Sequence, residues 1–84
     1  MSRVDVDLDL TIRDILILSV LARGPRRVKD IAGELGLPAS TVHWSLTKLA
    51  VKGYVLRNSD KSYGITREGL GLIKRIASTL PSGP

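Results

Sequence analysis

The sequence predicts a mainly α-helical fold with one small β-hairpin, and three observations support this prediction. Residues 28–52 contain two short amphipathic segments joined at Gly36, where glycine permits a sharp reversal of the chain. Residues 54–58 and 62–66 are two runs of β-forming residues that flank a polar turn. Apolar residues recur at three- and four-residue spacing on both sides of these segments, which is typical of helices. The chain has 84 residues, enough for one small domain with a single core.

The first ten residues alternate between apolar and acidic side chains, as a half-buried strand does. The apolar set is Val4, Val6, Leu8 and Leu10, and the acidic set is Asp5, Asp7 and Asp9. We therefore expect residues 1–10 to form an extended arm or strand. The acidic spacing resembles the start of a calcium loop, but the glycine and the later Glu of such a loop are missing, so we predict no metal site.

A first helix is predicted over residues 12–23, with Thr11 as its N-cap and Gly24 and Pro25 at its end. Its apolar side forms two stripes, one of Ile12, Ile15, Leu16, Ser19 and Val20, the other of Ile17, Leu18 and Leu21. A helix that is apolar on nearly all sides is buried on more than one side. The second stripe is therefore expected to pack on the last helix or on another subunit.

Two further helices are predicted over residues 29–35 and from residue 38 or 39 to residue 52, after a short strand at residues 26–28. The helix over residues 29–35 has no Ser or Thr at its start, so its cap is weak or is supplied in another way. Ala32 is small where the two helices cross, and the residues that lock the pair together are Ile31, Leu35, Leu37 and Val42. The inward face of the second helix is Val42, Leu46 and Leu49, with the small Ser45 beside them. This is the pattern of a helix-turn-helix.

After the hairpin, Thr66 is expected to cap a last helix over residues 67–80. Gly69 and Gly71 are each expected to weaken its first turn by about 1 kcal/mol relative to Ala. The tail at residues 81–84 is expected to be disordered. The predicted domain thus spans residues 11–80.

The charge distribution indicates a polyanionic partner. The net charge is +5, and the whole excess lies in residues 35–84, which hold seven basic and two acidic side chains. A slightly basic surface kept only for solubility is the alternative. With one His and no Cys, the chain offers no disulfide, no thiolate metal site and no catalytic constellation. We predict a cytoplasmic protein that is not an enzyme, has no cofactor and, without an apolar run of about 20 residues, does not span a membrane.

The order of elements over residues 11–77 resembles the winged helix-turn-helix domain of bacterial and archaeal transcription regulators, the MarR-like proteins and their relatives. The matching runs are Asp30-Ile31-Ala32, Leu35-Gly36-Leu37, Ser40-Thr41-Val42 with Leu46 and Leu49, Lys52-Gly53-Tyr54-Val55, and Tyr63-Gly64-Ile65-Thr66-Arg67-Glu68-Gly69. The resemblance implies sequence-specific binding of double-stranded DNA, with residues 39–52 in the major groove and the wing at residues 57–61 on the backbone or in the minor groove. The longer terminal helices that form the dimer and effector pocket of MarR-like proteins are not found, so no small-molecule effector is expected.

The outward face of the helix over residues 39–52 supplies most of the predicted DNA contacts. Ser40 and Thr41, at the helix start, are predicted to contact phosphate, as is Lys48. His43, Trp44 and Thr47 are predicted to read bases. For Trp44 the alternative is packing against the wing or a neighbouring subunit, and for His43 it is an ordinary surface position.

The hairpin and the N-terminal half of the chain supply the remaining predictions. Arg57 and Lys61 flank the tip of the wing, where they are predicted to reach the DNA backbone or minor groove; a merely solvated turn is the alternative. Arg26 and Arg27 are weaker candidates for contact with the flanking backbone. The carboxylates of the arm are expected to lie away from any DNA surface.

Two expectations concern partners. One domain of this size reads only a few base pairs, so we expect a homodimer through the first and last helices that binds half-sites about 10 bp apart. The alternative to DNA binding is a winged-helix protein-interaction module of a transcription or replication assembly, in which Trp44 and the last helix would anchor a protein. Such a module tends to carry acids or an apolar patch on the motif helix and wing, whereas here these elements carry Lys48, Lys52, Arg57 and Lys61.

Overall fold

This computed structural model describes residues 9–79, except for the side chain of Thr79. These residues form four helices and an antiparallel hairpin in the predicted order. The elements are α1 Ile12–Leu21, α2 Val28–Leu35, α3 Ala39–Val51, β1 Val55–Arg57, β2 Tyr63–Ile65 and α4 Arg67–Thr79. The predicted mainly α fold with a small hairpin is confirmed. Most of the predicted arm and the whole predicted tail lie outside the described residues.

Local hydrogen bonds fix the ends of the helices. Thr11 Oγ1 accepts from Asp14 N at 3.2 Å, and Asp14 Oδ2 accepts from Thr11 N at 2.9 Å, so the two residues form a capping box. The start of α2 is closed by Asp30, whose Oδ2 accepts from Arg27 N at 3.4 Å. At the end of α2, Gly36 has a φ of 67°, a left-handed conformation that glycine adopts without strain. The predicted cap at Thr11 and turn at Gly36 are confirmed.

The core lies where α1, α2 and α3 meet beneath the hairpin and α4. Its fully buried apolar residues include Ile17, Leu18 and Leu21 of α1, Ile31 of α2, Val42, Leu46 and Leu49 of α3, and Leu72 of α4. The predicted second stripe of α1 is thus the one that is buried, together with Val20. On the other side of α1, Ile12 and Leu16 are 76% and 44% exposed.

The hairpin is joined to the start of the helix-turn-helix through Tyr63. Tyr63 pairs with Arg57 in the β1–β2 ladder and forms a bridge to Arg26 on its other side. Arg26 N donates to Tyr63 O at 3.0 Å, and Tyr63 N donates to Arg26 O at 2.7 Å. The short strand predicted at residues 26–28 is therefore reduced to a single bridge, and it fixes the wing next to the first residues of α2.

Gly69 has a structural role that its helix propensity does not reveal. A Cβ at this position would lie 2.4 Å from Tyr54 O and 2.6 Å from Ile65 Cγ1, so only glycine lets α4 approach the hairpin this closely. Thr66 caps α4 as predicted, because its Oγ1 accepts from Gly69 N at 3.1 Å. The same hydroxyl donates to Gly53 O at 2.6 Å, which ties the start of α4 to the end of the helix-turn-helix.

Candidate nucleic-acid interface

The outward face of α3 is exposed as the helical spacing predicts. Val42, Ser45, Leu46 and Leu49 are buried, whereas Ser40, His43, Trp44 and Thr47 are exposed and Thr41 is partly buried. Trp44 is 74% exposed, so among the described residues it packs against neither the core nor the wing. Thr47 Oγ1 donates to His43 O at 3.0 Å, which orients the hydroxyl and leaves its lone pairs free to accept.

A basic cleft opens between α3, the start of α2 and the hairpin. The cleft has a volume of about 270 Å³, and the residues that line it are Arg27, Val28, Lys29, His43, Arg57, Lys61 and Tyr63. The fold thus brings His43 of α3 together with Arg57 and Lys61 of the wing, three of the predicted DNA contacts. It adds Arg27, which the sequence indicated only weakly, and Lys29, which was not predicted. In the sequence, the feature that could have indicated Arg27 and Lys29 was their position at the start of the first helix of the helix-turn-helix.

The turn of the wing is fixed by hydrogen bonds around Asp60. Asp60 Oδ1 accepts from Ser62 Oγ at 2.6 Å and from Ser62 N at 3.0 Å. These two bonds lower the pKa of Asp60 below the usual Asp value, with a further contribution from the charge of Arg27. Lys61 has a φ of 73°, and its N donates to Asn58 O at 3.0 Å. Lys61 is therefore held at the mouth of the cleft by a closed turn.

Lys48 is directed toward α1 instead of outward. Its Nζ lies 2.5 Å from Oδ2 of Asp14, a carboxylate with no exposed surface, and donates to Asp9 O at 3.0 Å. Burial raises the pKa of Asp14, but hydrogen bonds from Lys48, Thr11 and Ser45 lower it, and the net pKa lies below the usual Asp value. This geometry gives Lys48 a structural role in joining α3 to α1 and does not support its prediction as a phosphate contact.

Asp9 lies against the C-terminal end of α3, and the expectation that it lies away from any DNA surface stays a prediction. Its Oδ2 is 3.2 Å from Lys52 Nζ, and its backbone oxygen accepts from Lys48. The two lysines at the C-terminal end of α3 attract the carboxylate and carbonyl that precede α1. Asp5 and Asp7, for which the same expectation was made, lie outside the described residues.

Arg26 and Arg27 are adjacent in sequence but differ in their surroundings. The Arg26 guanidinium is paired with Glu34 at 2.8 Å and donates to Gly24 O at 2.9 Å and Pro25 O at 3.0 Å. Its charge is therefore balanced within the domain. Arg27 lines the basic cleft with Lys29, so these two residues, and not Arg26, extend the candidate interface toward α2.

The fold and the exposed basic and aromatic face define a winged helix-turn-helix domain of the class found in DNA-binding transcription regulators. Residues 12–59, more than half of the chain, match the family model of the IclR helix-turn-helix domain. The chain therefore belongs to the IclR helix-turn-helix domain family. Among curated proteins, none matches this sequence.

Solved structures of transcription regulators share the fold. The regulator Tm0710 from Thermotoga maritima is 31% identical with a TM-score of 0.75, over 86% of this chain and 55% of that one. The regulator BldR from Sulfolobus solfataricus is 23% identical with a TM-score of 0.76, over 84% of this chain and 55% of that one. A MarR family protein from Bacillus stearothermophilus is 19% identical with a TM-score of 0.78, over 83% and 53%. The chain thus spans about half the length of these regulators, and the predicted resemblance to this class is confirmed.

Residues 9–79 contain neither a metal-binding cluster nor a membrane-spanning helix. No group of three or more His, Cys, Asp or Glu side chains in this part of the chain is placed to hold a metal ion. In the same residues, no helix has the length and hydropathy needed to cross a bilayer.

Proposed function

We propose that the chain binds double-stranded DNA sequence-specifically as the DNA-binding part of a transcription regulator, in the cytoplasm of a bacterium or archaeon. The observation that carries the proposal is that the basic cleft adjoins the outward face of α3, because His43 belongs to both. His43 of α3 lines the cleft together with four cations from two other elements, and the neighbouring Trp44 is exposed on the same helix. This is the combination of base-reading and phosphate-binding groups that a DNA surface needs.

Each part of the surface has a role in this proposal. α3 lies in the major groove, where His43, Trp44 and Thr47 meet base edges and sugars. Ser40 and Thr41 lie at the N-terminal end of α3, where free backbone N–H groups favour phosphate. Arg57 and Lys61 hold the backbone or the minor groove beside it, and Arg27 and Lys29 extend the phosphate contacts toward α2.

A protein-interaction module is not favoured by the same surface. An adaptor that uses the wing and the neighbouring side of α3 as a docking face would be expected to carry few charged side chains at the centre of the contact. Instead, Arg27, Lys29, Arg57 and Lys61 converge on the cleft next to His43. Four desolvated cations would be costly at an ordinary protein interface, whereas DNA phosphates neutralise them.

The test is the salt dependence of binding to a fluorescently labelled random-sequence duplex. Arg57→Ala/Lys61→Ala should weaken binding to all sequences and make the log–log salt slope less steep by about 0.9 for each phosphate that is no longer neutralised. Lys74→Ala/Arg75→Ala, which removes the same charge from exposed positions on α4, is the matched control and should leave both quantities nearly unchanged. Equally weakened binding in the two double variants, or no binding of any duplex at low salt, would reject the proposed interface.

We also propose that the protein acts as a homodimer through α1 and α4. Ile12 and Leu16 lie one helical turn apart on α1 and are 76% and 44% exposed, so they form an apolar surface outside the core. On α4, Leu70, Ile73 and Ile76 are only partly buried. A two-fold arrangement of two such domains would present two α3 helices to successive turns of the major groove.

A further inference from the structure

α3 carries an apolar groove on the side that faces away from the core. The groove has a volume of about 350 Å³ and is lined by Trp44, Thr47, Lys48, Val51 and Lys52. Trp44 is 74% exposed and Val51 is 84% exposed. Because they are two helical turns apart, these side chains lie on the same side of α3 and form one apolar stripe. A contiguous exposed apolar surface in a small domain indicates that something covers it.

The polypeptide enters the domain at the edge of this groove. Asp9 Oδ2 lies 3.2 Å from Lys52 Nζ, and Asp9 O accepts from Lys48 Nζ at 3.0 Å. Both lysines line the groove. The eight residues that precede Asp9 are therefore attached to the fold beside two of the residues that line the groove.

The sequence of those eight residues complements the groove. Val4, Val6 and Leu8 alternate with Asp5 and Asp7, so an extended conformation puts the apolar side chains on one side and the carboxylates on the other. Eight extended residues reach at most about 29 Å. This exceeds the length of α3, whose 13 residues span about 20 Å. The segment is thus long enough to cover the whole stripe, and its acids remain on the side that faces solvent.

We propose that residues 4–8 dock in the groove as an extended segment, with their apolar side chains on Trp44 and Val51. The groove includes Trp44 and Thr47, two residues of the proposed DNA interface, so a docked arm covers part of the surface that DNA needs. The arm is therefore an intramolecular competitor of DNA, a consequence that rests on the proposed function. A second copy of the chain and an unrelated protein are the other possible occupants.

Trp44 is the chain's one tryptophan, so intrinsic fluorescence measures docking without any DNA. In the full chain, Val4→Ser/Val6→Ser/Leu8→Ser should shift the emission to longer wavelength and raise the acrylamide quenching constant. Leu56→Ser, which removes an exposed apolar side chain from the hairpin, is the control and should change neither. Equal emission and quenching in the wild type and the triple variant would overturn the proposal.

Two further measurements separate the arm from the other occupants. Val51→Ser changes the groove instead of the arm, and at 84% exposure it leaves the core intact, so it should raise the quenching of Trp44 as the triple variant does. The protection of Trp44 should be independent of protein concentration, as expected for a segment of the same chain. Protection that disappears on dilution would show a second copy in the groove and would reject the intramolecular arm.

DNA binding then tests the competition. If the arm is docked about nine tenths of the time, the triple Ser variant should bind a random-sequence duplex about tenfold more tightly than the wild type. Unchanged or weaker binding would reject the competition. If neither protein binds any duplex while the difference in quenching persists, the docking is retained and the proposed DNA function is the part that fails.

Discussion

Gly69 and Gly71 lie two positions apart in α4, yet their surroundings differ. A Cβ at Gly69 would meet Tyr54 O at 2.4 Å, whereas a Cβ at Gly71 would meet only Arg75 Nη1 at 3.7 Å, an ordinary contact. Helix propensity treats the two glycines alike, as a cost of about 1 kcal/mol each relative to Ala. The close approach of α4 to the hairpin is therefore what distinguishes them.

Gly69→Ala should lower the free energy of unfolding by about 1–3 kcal/mol, because the steric conflict with the backbone of Tyr54 outweighs the gain in helix propensity. Gly71→Ala is the matched control and should be neutral or stabilising by up to about 1 kcal/mol. Urea denaturation followed by circular dichroism measures both. A stabilised Gly69→Ala variant would show that the hairpin and α4 are not packed as described.

Trp44 is the residue whose surroundings decide between reading DNA and packing on protein. Its exposure leaves the indole available to thymine methyl groups or sugar, with its N–H free to donate to phosphate. We expect Trp44→Ala to change the sequences enriched from a random duplex pool, while Arg57→Ala lowers affinity with little change in the enriched motif. An unaltered motif in the Trp44 variant would remove this residue from base recognition.

At the scale of elements, α3 is joined to α1 by a polar contact beside their apolar packing. Asp14 of α1 is fully buried, and its Oδ2 accepts from Thr11 N and pairs with Lys48 of α3. Because the pKa of Asp14 is lowered in the folded state, the ionised carboxylate stabilises the fold at all pH values above the unfolded pKa of about 3.9. That contribution is lost as the pH falls from there through the folded pKa.

Asp14→Asn should therefore lower the free energy of unfolding at pH 7 by about 1.5–3 kcal/mol, the range for a hydrogen bond to a charged group. The difference from the wild type should shrink as the pH falls below about 4, where the carboxylate is protonated in the unfolded chain before it is protonated in the folded one. Asp30→Asn, the same change at an exposed helix start, is the control and should cost much less. A difference for Asp14→Asn that stays constant down to a pH of about 2.5, or grows, would contradict the ion pair, since ordinary Asp titration is complete by then.

The order of the elements and the inward face of α3 were predictable because both follow from local spacing. Gly36, Thr66 and the stripe of Val42, Leu46 and Leu49 act through neighbours within one or two helical turns. The role of Gly69 was not predictable, since it depends on Tyr54, which the hairpin brings close only in the folded chain. Predictions from local spacing hold where the interaction itself is local.

In the candidate interface, too, the features set by local spacing were predictable and those set by long-range contacts were not. Helical spacing placed His43 and Trp44 on the exposed face of α3, but it also placed Lys48 there. The direction of a long, flexible side chain is set by the charge it can reach. Lys48 reaches the buried carboxylate of Asp14, which lies on α1 and is distant in sequence, so helical spacing within α3 could not predict this contact. The addition of Lys29 to the cleft likewise depends on how α2 meets the wing.

At the scale of the whole molecule, the exposed apolar face of α1 leads to a prediction about assembly. A homodimer through α1 and α4 should sediment as a dimer at tens of micromolar, a concentration well above the dissociation constants of typical specific dimers. Ile12→Ser/Leu16→Ser should shift it to monomer without unfolding it, since both side chains are largely outside the core. Leu56→Ser, which changes an exposed apolar residue of the hairpin, serves as the control. A wild-type monomer at this concentration would contradict the dimer.

The central claim concerns which face of the molecule meets DNA, and a backbone amide NMR titration with a random-sequence duplex at low salt tests it directly. The largest shifts should fall on His43, Trp44 and Thr47 of α3 and on Arg57 and Lys61 of the wing, with Arg27 and Lys29 following. The amides of Ile12, Leu16 and Lys74 should move little. Shifts concentrated on α1 and α4, with the face of α3 and the basic cleft unchanged, would contradict the claim.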